Sequence, residues 1–288
     1  MESVKQKSGI ILIDKTEGLT SRQVVNSLSY NLSTKKVGHI GTLDPFATGL
    51  LILTINQATK IGAYLEALDK TYVARLKLGE KTDTGDLTGE IIERKRPAKS
   101  LDSSEISAIM ASFLGKRKQI PPMFSALKRD GKPLYKYARQ GLTVDREPRD
   151  IEVYEINLIS FENEMVEFSA RVSKGTYLRT LGEEIAEALG TVGHLVSLRR
   201  TAIGRFTVDR AIKAEGATYD DAVSIGEALR HLPQLEIGGP QLLDVTYGKP
   251  ISLNLEAPLV LFLKDEKALA LYEKREDGLY YCRRGIFE

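Results

Sequence analysis

Cysteine is nearly absent. Cys282 is the only one in 288 residues, so no disulfide can form within the chain and a reducing, cytoplasmic compartment is expected. There is no tryptophan, and aromatic residues make up only 7% of the chain. His39, His194 and His231 are the only histidines and lie far apart. With a single cysteine beside them they leave no zinc-ligand spacing. No apolar run reaches the length of a membrane span, and the one in MESVKQKSGIILIDK is too short for a signal peptide. The chain has no phosphate-binding Gly-Lys-Ser/Thr loop and no Gly-x-Gly-x-x-Gly after a strand. Chemistry is therefore expected from side chains alone, with no metal, no cofactor and no membrane.

What is present is a globular composition, 42% hydrophobic and 28% charged, enough to bury a real core. The net charge is only +2, so the overall sum does not announce a nucleic-acid partner. Its distribution does more. Between Lys116 and Arg149 stand ten basic residues opposed only by Asp130, Asp145 and Glu147. Such a local surface suits a phosphate backbone, although a charge run alone is more often an ordinary solvated face. Phe124, Tyr135 and Tyr137 lie inside the run and could stack on bases or simply pack. Residues 235–288 carry 7 basic and 9 acidic groups, a slightly acidic tail.

Hydrophobic periodicity predicts strands at Gly9–Ile13, Leu50–Ile55, Lys70–Leu78 and Leu195–Val208, and an antiparallel pair, Ile151–Ile159 with Val166–Val172, around Glu162-Asn163. Helices are expected from Ser21 to Leu32 with Ser21 as the cap, and around Ile61, Leu65 and Leu68. Further helices are expected after Asp102, over Thr176–Leu189 with Gly190 as the stop, and over Tyr219–Leu232. This is an α+β pattern: a mixed, largely antiparallel central sheet with flanking helices. A boundary is expected near Leu232-Pro233. It divides a main domain, 1–234, from a small all-β domain, 235–288, that leans on it.

The most informative string runs from Gly38 to Leu51, GHIGTLDPFATGLL. Asp44 precedes a proline that favours extended backbone before it. Gly41 and Gly49 bracket it, and Thr42 and Thr48 can tie loop backbone groups. A lone Asp-Pro pair usually means a helix N-cap. A rigid polar loop feeding a buried strand is equally a place for a reactive carboxylate.

The longer string resembles the nucleophile motif of the TruB family of pseudouridine synthases, with Ile40 and Phe46 standing where the family pattern has Thr and Leu. The resemblance extends to about Phe206. Lys70-Thr-Tyr-Val with Leu78-Gly-Glu-Lys-Thr-Asp-Thr-Gly-Asp is similar to the segment carrying the family's active-site tyrosine, here Tyr72. Ser173-Lys-Gly-Thr-Tyr-Leu-Arg179 is similar to the segment that carries the aspartate's partner, here Arg179. If Thr176 caps the helix, Tyr177 and Arg179 lie in its first turn, where an arginine opposes the dipole preference and so serves a partner. Gln119-Ile-Pro-Pro-Met-Phe-Ser-Ala-Leu-Lys128 to Arg139 resembles the family's RNA-gripping insertion, placed at about 116–149. His194 to Phe206 resembles the motif that sets Leu198 against the base. Asp14-Lys15-Thr-Glu-Gly-Leu-Thr-Ser21 resembles a further loop, with Thr16 in place of a proline.

The resemblance implies the pseudouridine synthase fold with a reduced RNA-binding tail, and isomerisation of uridine 55 in the T loop of tRNA; the short, slightly acidic tail argues for a stand-alone enzyme, expected as a monomer without an obligatory protein partner. Asp44 would be the nucleophile, attacking the base or the sugar or acting through elimination. Arg179 would hold Asp44 ionised by lowering its pKa. Tyr72 would stack on the base and Tyr177 and Leu198 would line the pocket. His39 would prop the space left by the flipped nucleotide, and Lys15, Lys128, Arg129 and Lys132 would bind substrate. The ordinary readings are core packing for Tyr72 and Leu198, a solvated Arg179 and a backbone-bound His39. Two rival functions are a guide-RNA-dependent synthase of the dyskerin type and a tRNA-folding factor without catalysis.

Overall fold

The computed structural model describes residues 7–97 and 100–288. The chain opens with β1 (Gly9–Lys15), α1 (Ser21–Asn31), β2 (Val37–Ile40) and β3 (Thr48–Ile55). A 3-10 turn and α2 (Gly62–Glu66) lead to β4 (Lys70–Leu78) and a small hairpin, β5 (Glu80–Thr82) with β6 (Ile91–Arg94). After α3 (Ser103–Ala111) and β7 (Gly115–Gln119) the chain makes a mostly irregular excursion. It holds the two-residue strands β8 (Lys128–Arg129) and β9 (Lys132–Pro133) and a short helix, α4 (Leu134–Ala138). Next come β10 (Arg149–Glu162), β11 (Met165–Val172), α5 (Leu178–Ala188), β12 (Gly193–Ile203) and β13 (Phe206–Thr207). The last part holds α6 (Ile225–Ala228), β14 (Gln234–Glu236), α7 (Gly239–Thr246), β15 (Leu259–Lys264), β16 (Lys267–Lys274) and β17 (Tyr280–Gly285).

The central sheet runs β1-β3-β12-β4-β11-β10-β7, with β2 added to β3 and β13 to β12. Every pairing in it is antiparallel except β3 with β12. β1 occupies one edge of β3 from Gly49 to Ile55. On the other edge β2 takes residues Ile52–Ile55, leaving β12 only the two rungs Arg199↔Thr48 and Arg200↔Gly49. The sheet therefore forks at β3, and the loop from Gly41 to Ala47 sits in the fork. Gly49 is needed there. It has φ +99°, and a Cβ would come 2.3 Å from the carbonyl oxygen of Arg200, so a side chain would push the two strands apart.

β3 reads as an apolar run, Leu50–Ile55, broken only by the buried Thr54, because both its faces are covered. Leu51, Leu53 and Ile55 enter a core with Val24 and Leu28 of α1 and Leu181 and Ile185 of α5. Leu50 and Ile52 enter a second core with Ile10 and Leu12 of β1 and with Leu261, Leu271 and Ile286 from the C-terminal sheet. That sheet, β14-β15-β16-β17, leans on the main one through these residues. It also has its own core around Val245, Phe262, Tyr272 and Tyr280.

Several local expectations change. Thr20, not Ser21, caps α1, forming a reciprocal box with Gln23 worth about 1 kcal/mol. The expected Tyr219–Leu232 helix is broken into a 3-10 turn, Tyr219–Asp221, and the short α6. Between them Val223 exchanges two backbone hydrogen bonds with Ile10, at 2.9 and 2.8 Å. The outer edge of β1 would otherwise leave donors and acceptors unpaired, and satisfying them outweighs local helix preference. The expected strand Leu195–Val208 stops at Ile203, turns through Gly204 at φ +51° and returns as β13. One helix, α7, stands where only strands were expected; Pro240 lies in its first turn, where a missing N–H costs nothing.

Candidate active site

A cleft of about 650 Å³ opens where the loop in the fork meets the first residues of β4 and the loop between β11 and α5. The Asp44 loop is held by its backbone. Ser21 Oγ accepts from the Leu43 N–H at 2.9 Å and donates to its carbonyl at 3.1 Å. Arg200, 1% exposed, donates from Nη2 to the Gly41 carbonyl at 3.0 Å and from Nε to the Leu50 carbonyl at 2.7 Å. Lys15 donates to the carbonyls of Thr16, Leu19 and Pro45 at 3.0, 2.7 and 3.2 Å. Residues Asp44 to Ala47 make a turn, closed by the Ala47 N–H on the Asp44 carbonyl at 3.1 Å. No helix follows, so Asp44 is not an N-cap.

Its carboxylate faces Arg179 instead, with Nε to Oδ2 at 2.9 Å. Arg179 is 3% exposed and every edge of its guanidinium is occupied. Nη1 donates to the Thr84 carbonyl and Nη2 to the Phe124 carbonyl, both at 2.7 Å. Asp86, also buried, lies 3.7 Å from the same Nε. Its other oxygen accepts from the Thr84 hydroxyl, the Thr88 hydroxyl and the Thr88 N–H at 3.0, 2.6 and 2.9 Å. One cation thus serves two carboxylates.

This arrangement reverses the expected shift of Asp44. Burial pushes its carboxyl above the ordinary aspartate value, and Asp86 adds to the rise, against the pull of Arg179 and Lys15. A third of the side-chain surface, 34%, still faces the open cleft, where water moderates that penalty.

Tyr72, Leu198 and Tyr177 all line the cleft. Tyr72 and Leu198 are also largely packed, at 8% and 6% exposure, so each fills the core with one side and offers the other. Tyr177, half-buried, is the N-cap residue of α5 and has no side-chain cap of its own. Burial raises its phenol pKa. Thr176, the expected cap, instead donates from Oγ1 to the Ser173 carbonyl at 3.0 Å. Arg179 is nevertheless the second helical residue.

The remaining expected substrate contacts fall elsewhere. Lys15 is 1% exposed and braces the loop; burial lowers its ammonium pKa to about 8. His39 sits half-buried on β2, does not line the cleft, and has a buried Nδ1 without a partner. Its pKa is lowered by burial and by the charges of Arg22 and Arg200. In the excursion Lys128 is exposed. Arg129 donates to the Asp145 carbonyl, and Lys132 donates to Gln140 Oε1 at 2.8 Å and lies 4.3 Å over the Tyr137 ring. The latter two therefore shape the insertion as well as charging it.

Sequence reading missed Asp86, Arg200 and Lys70. Lys70 is 6% exposed, lines the cleft, and is lowered by burial to about pKa 8. The signal for Asp86 was present: a carboxylate in a turn rich in threonine and glycine, the same dress as Asp44.

Residues 30–178 match the N-terminal domain of the TruB family of pseudouridylate synthases. The chain belongs to the TruB family. Residues 179–230 match the C-terminal domain of tRNA pseudouridylate synthase B. A tRNA pseudouridine synthase B from Bordetella avium is 47% identical over 227 residues, spanning 78% of this chain and 93% of that protein. One from Francisella philomiragia is 44% identical over 280 residues, 97% of this chain and 83% of that protein. A crystal structure of a Cbf5-Nop10-Gar1 complex superposes with a TM-score of 0.70 at 26% identity, covering 92% of this chain and 78% of that one. As a TruB family member the protein is an isomerase, a pseudouridine synthase.

Proposed function

We propose that this TruB family member converts uridine 55 in the T loop of tRNA to pseudouridine, as a monomer without a cofactor or protein partner, with Asp44 as the nucleophile. The observation that carries the role of Asp44 is its carboxylate, held at 2.9 Å from a buried arginine at the floor of a cleft lined by Tyr72 and Leu198. The tRNA substrate is supported by the names of the relatives, and position 55 by the motif resemblance. The reaction breaks the bond between C1′ and N1, turns the uracil and joins C1′ to C5. The C5 proton leaves and N1 gains one, so the sum is an isomerisation. The uridine must leave its stack to reach the cleft. Tyr72 and Leu198 then sandwich the base, and Arg179 aims Asp44.

The test is direct. Purified protein incubated with an unmodified T-arm stem-loop should yield pseudouridine detectable by carbodiimide adduct formation. No product from the pure protein, with product restored by a guide RNA, would favour the guide-dependent reading instead.

RNA binding should depend on salt through the insertion. Lys128→Ala should weaken T-arm binding and lower the slope of log K against log salt by roughly 0.7–0.9. Lys132→Ala should do more, because Tyr137 and Gln140 lose their partner and the insertion loosens. An unchanged slope in both, measured by filter binding across salt, would detach the insertion from RNA.

A further inference from the structure

We propose that Gln119 is a positioning residue for the reaction, its buried carboxamide locking Tyr177, and through it Arg179, to the neck of the basic insertion. The proposal rests on the reading of Asp44 and Arg179 given above. Gln119 ends β7 and is 2% exposed. Its Oε1 accepts from the Tyr177 N–H at 2.8 Å, and its Nε2 donates to the Tyr177 carbonyl at 3.2 Å. One side chain thereby satisfies both backbone groups of a residue 58 positions away, as a neighbouring strand would. Tyr177 needs this. It begins α5 in extended conformation, φ −98° and ψ 111°, with no side-chain cap.

The backbone of Gln119 has a second duty. It pairs with Arg149 at the end of the β7–β10 ladder, so residues 120–148 leave and return through this one rung. Five residues beyond Gln119, the Phe124 carbonyl receives Arg179 Nη2. The first stretch of the insertion therefore holds Arg179 twice, once through Tyr177 and once directly. With the neck closed, the guanidinium is fixed between the Thr84 and Phe124 carbonyls and its Nε points at Asp44. With the neck loosened, Asp44 keeps Asp86 and its burial but loses the steady counter-charge. The groups acting on Asp44 are Arg179, Asp86, Lys15 and Tyr177; only the first and last are seated by Gln119.

Gln119→Met keeps the volume and removes both hydrogen bonds. Gln119→Glu keeps an acceptor for the Tyr177 N–H. Single-turnover rates on a T-arm stem-loop should be measured against pH, beside RNA affinity and thermal melting, with Asp44→Asn as the reference. The expected result for Gln119→Met is a rate at saturating RNA lowered roughly ten- to hundredfold, the loss typical of a misplaced reacting group. RNA affinity should change less than about threefold, and the acid limb of the rate profile should move to higher pH. Gln119→Glu should recover part of the rate. A Gln119→Met protein with the wild-type acid limb and rate overturns the proposal, as does a loss confined to RNA affinity or to melting temperature. If Gln119→Met does not fold, wild-type rate and limb in Gln119→Glu at all pH values overturn it equally. Activity retained in Asp44→Asn would remove the reading beneath the proposal, whereas wild-type kinetics in Gln119→Met beside an inactive Asp44→Asn would remove the proposal alone.

Discussion

Asp44→Asn is expected to abolish turnover, by a factor on the order of 10⁴ or more, and to melt no lower than the wild type at neutral pH. The two halves of this result have one cause. Burial and Asp86 raise the folded-state pKa of Asp44 above its ordinary value. Between the unfolded and folded pKa values the native state binds more protons, so stability falls as pH rises through that window and stays lower above it. The ionised Asp44 is thus a standing cost at neutral pH, and the neutral amide removes it. Catalysis needs the same ionised form, so the wild-type rate should be lost as pH falls through the raised value. Pseudouridine formation and thermal melts of the two proteins at pH 7 check both halves. Product at the wild-type rate refutes the nucleophile assignment; a clear drop in Tm refutes the account of the charge.

Arg179→Met should lose activity and stability together. Asp44 and Asp86 would share a site without a cation, and the Thr84 and Phe124 carbonyls would lose their donors. Breaking a buried pair on one side costs about 3–5 kcal/mol; the lower end applies here because Asp44 is partly open to the cleft. The rate should fall about 10²–10³-fold, the usual loss when an aimed electrostatic group is removed. The sign with pH is fixed. Without the pull of Arg179 the Asp44 carboxyl, already raised by burial, rises further, so its protonation relieves the strain and the deficit should shrink between pH 8 and pH 5. Urea melts at both values decide it, and a deficit that grows on acidification overturns this account. Arg179→Lys should not rescue, since the compact ammonium of lysine lacks the planar fork whose three nitrogens reach the Thr84 carbonyl, the Phe124 carbonyl and Asp44 in separate directions.

The site residues expected from the sequence came from the motif resemblance, while local pattern alone gave their setting. Asp44 sits in a string of glycines and threonines, and Tyr72 and Leu198 follow the alternation of strands. The residues that sequence reading missed or misassigned act across long separations. Ser21 holds Leu43, Gln119 holds Tyr177 and Arg200 holds Gly41; no local pattern distinguishes such a polar side chain from a solvated one. Lys15 was expected as a substrate contact from the motif resemblance of its loop, and here three carbonyls draw it inward. The Tyr219–Leu232 segment carries an apolar pattern compatible with a helix, and only the unpaired edge of β1 decides otherwise.

The fork at β3 has a temporal meaning. Only two rungs join the strand that follows Asp44 to β12, and their partners are about 150 positions apart in the chain. Closing so long a loop is entropically expensive and comes late. Arg179 is also made 135 residues after Asp44. During synthesis, which proceeds from the N-terminus, the nascent chain carries its aspartate with no arginine to aim it. On the proposed roles of Asp44 and Arg179, competence is expected only when the two parts of the sheet meet, and an incomplete chain is expected not to act on RNA.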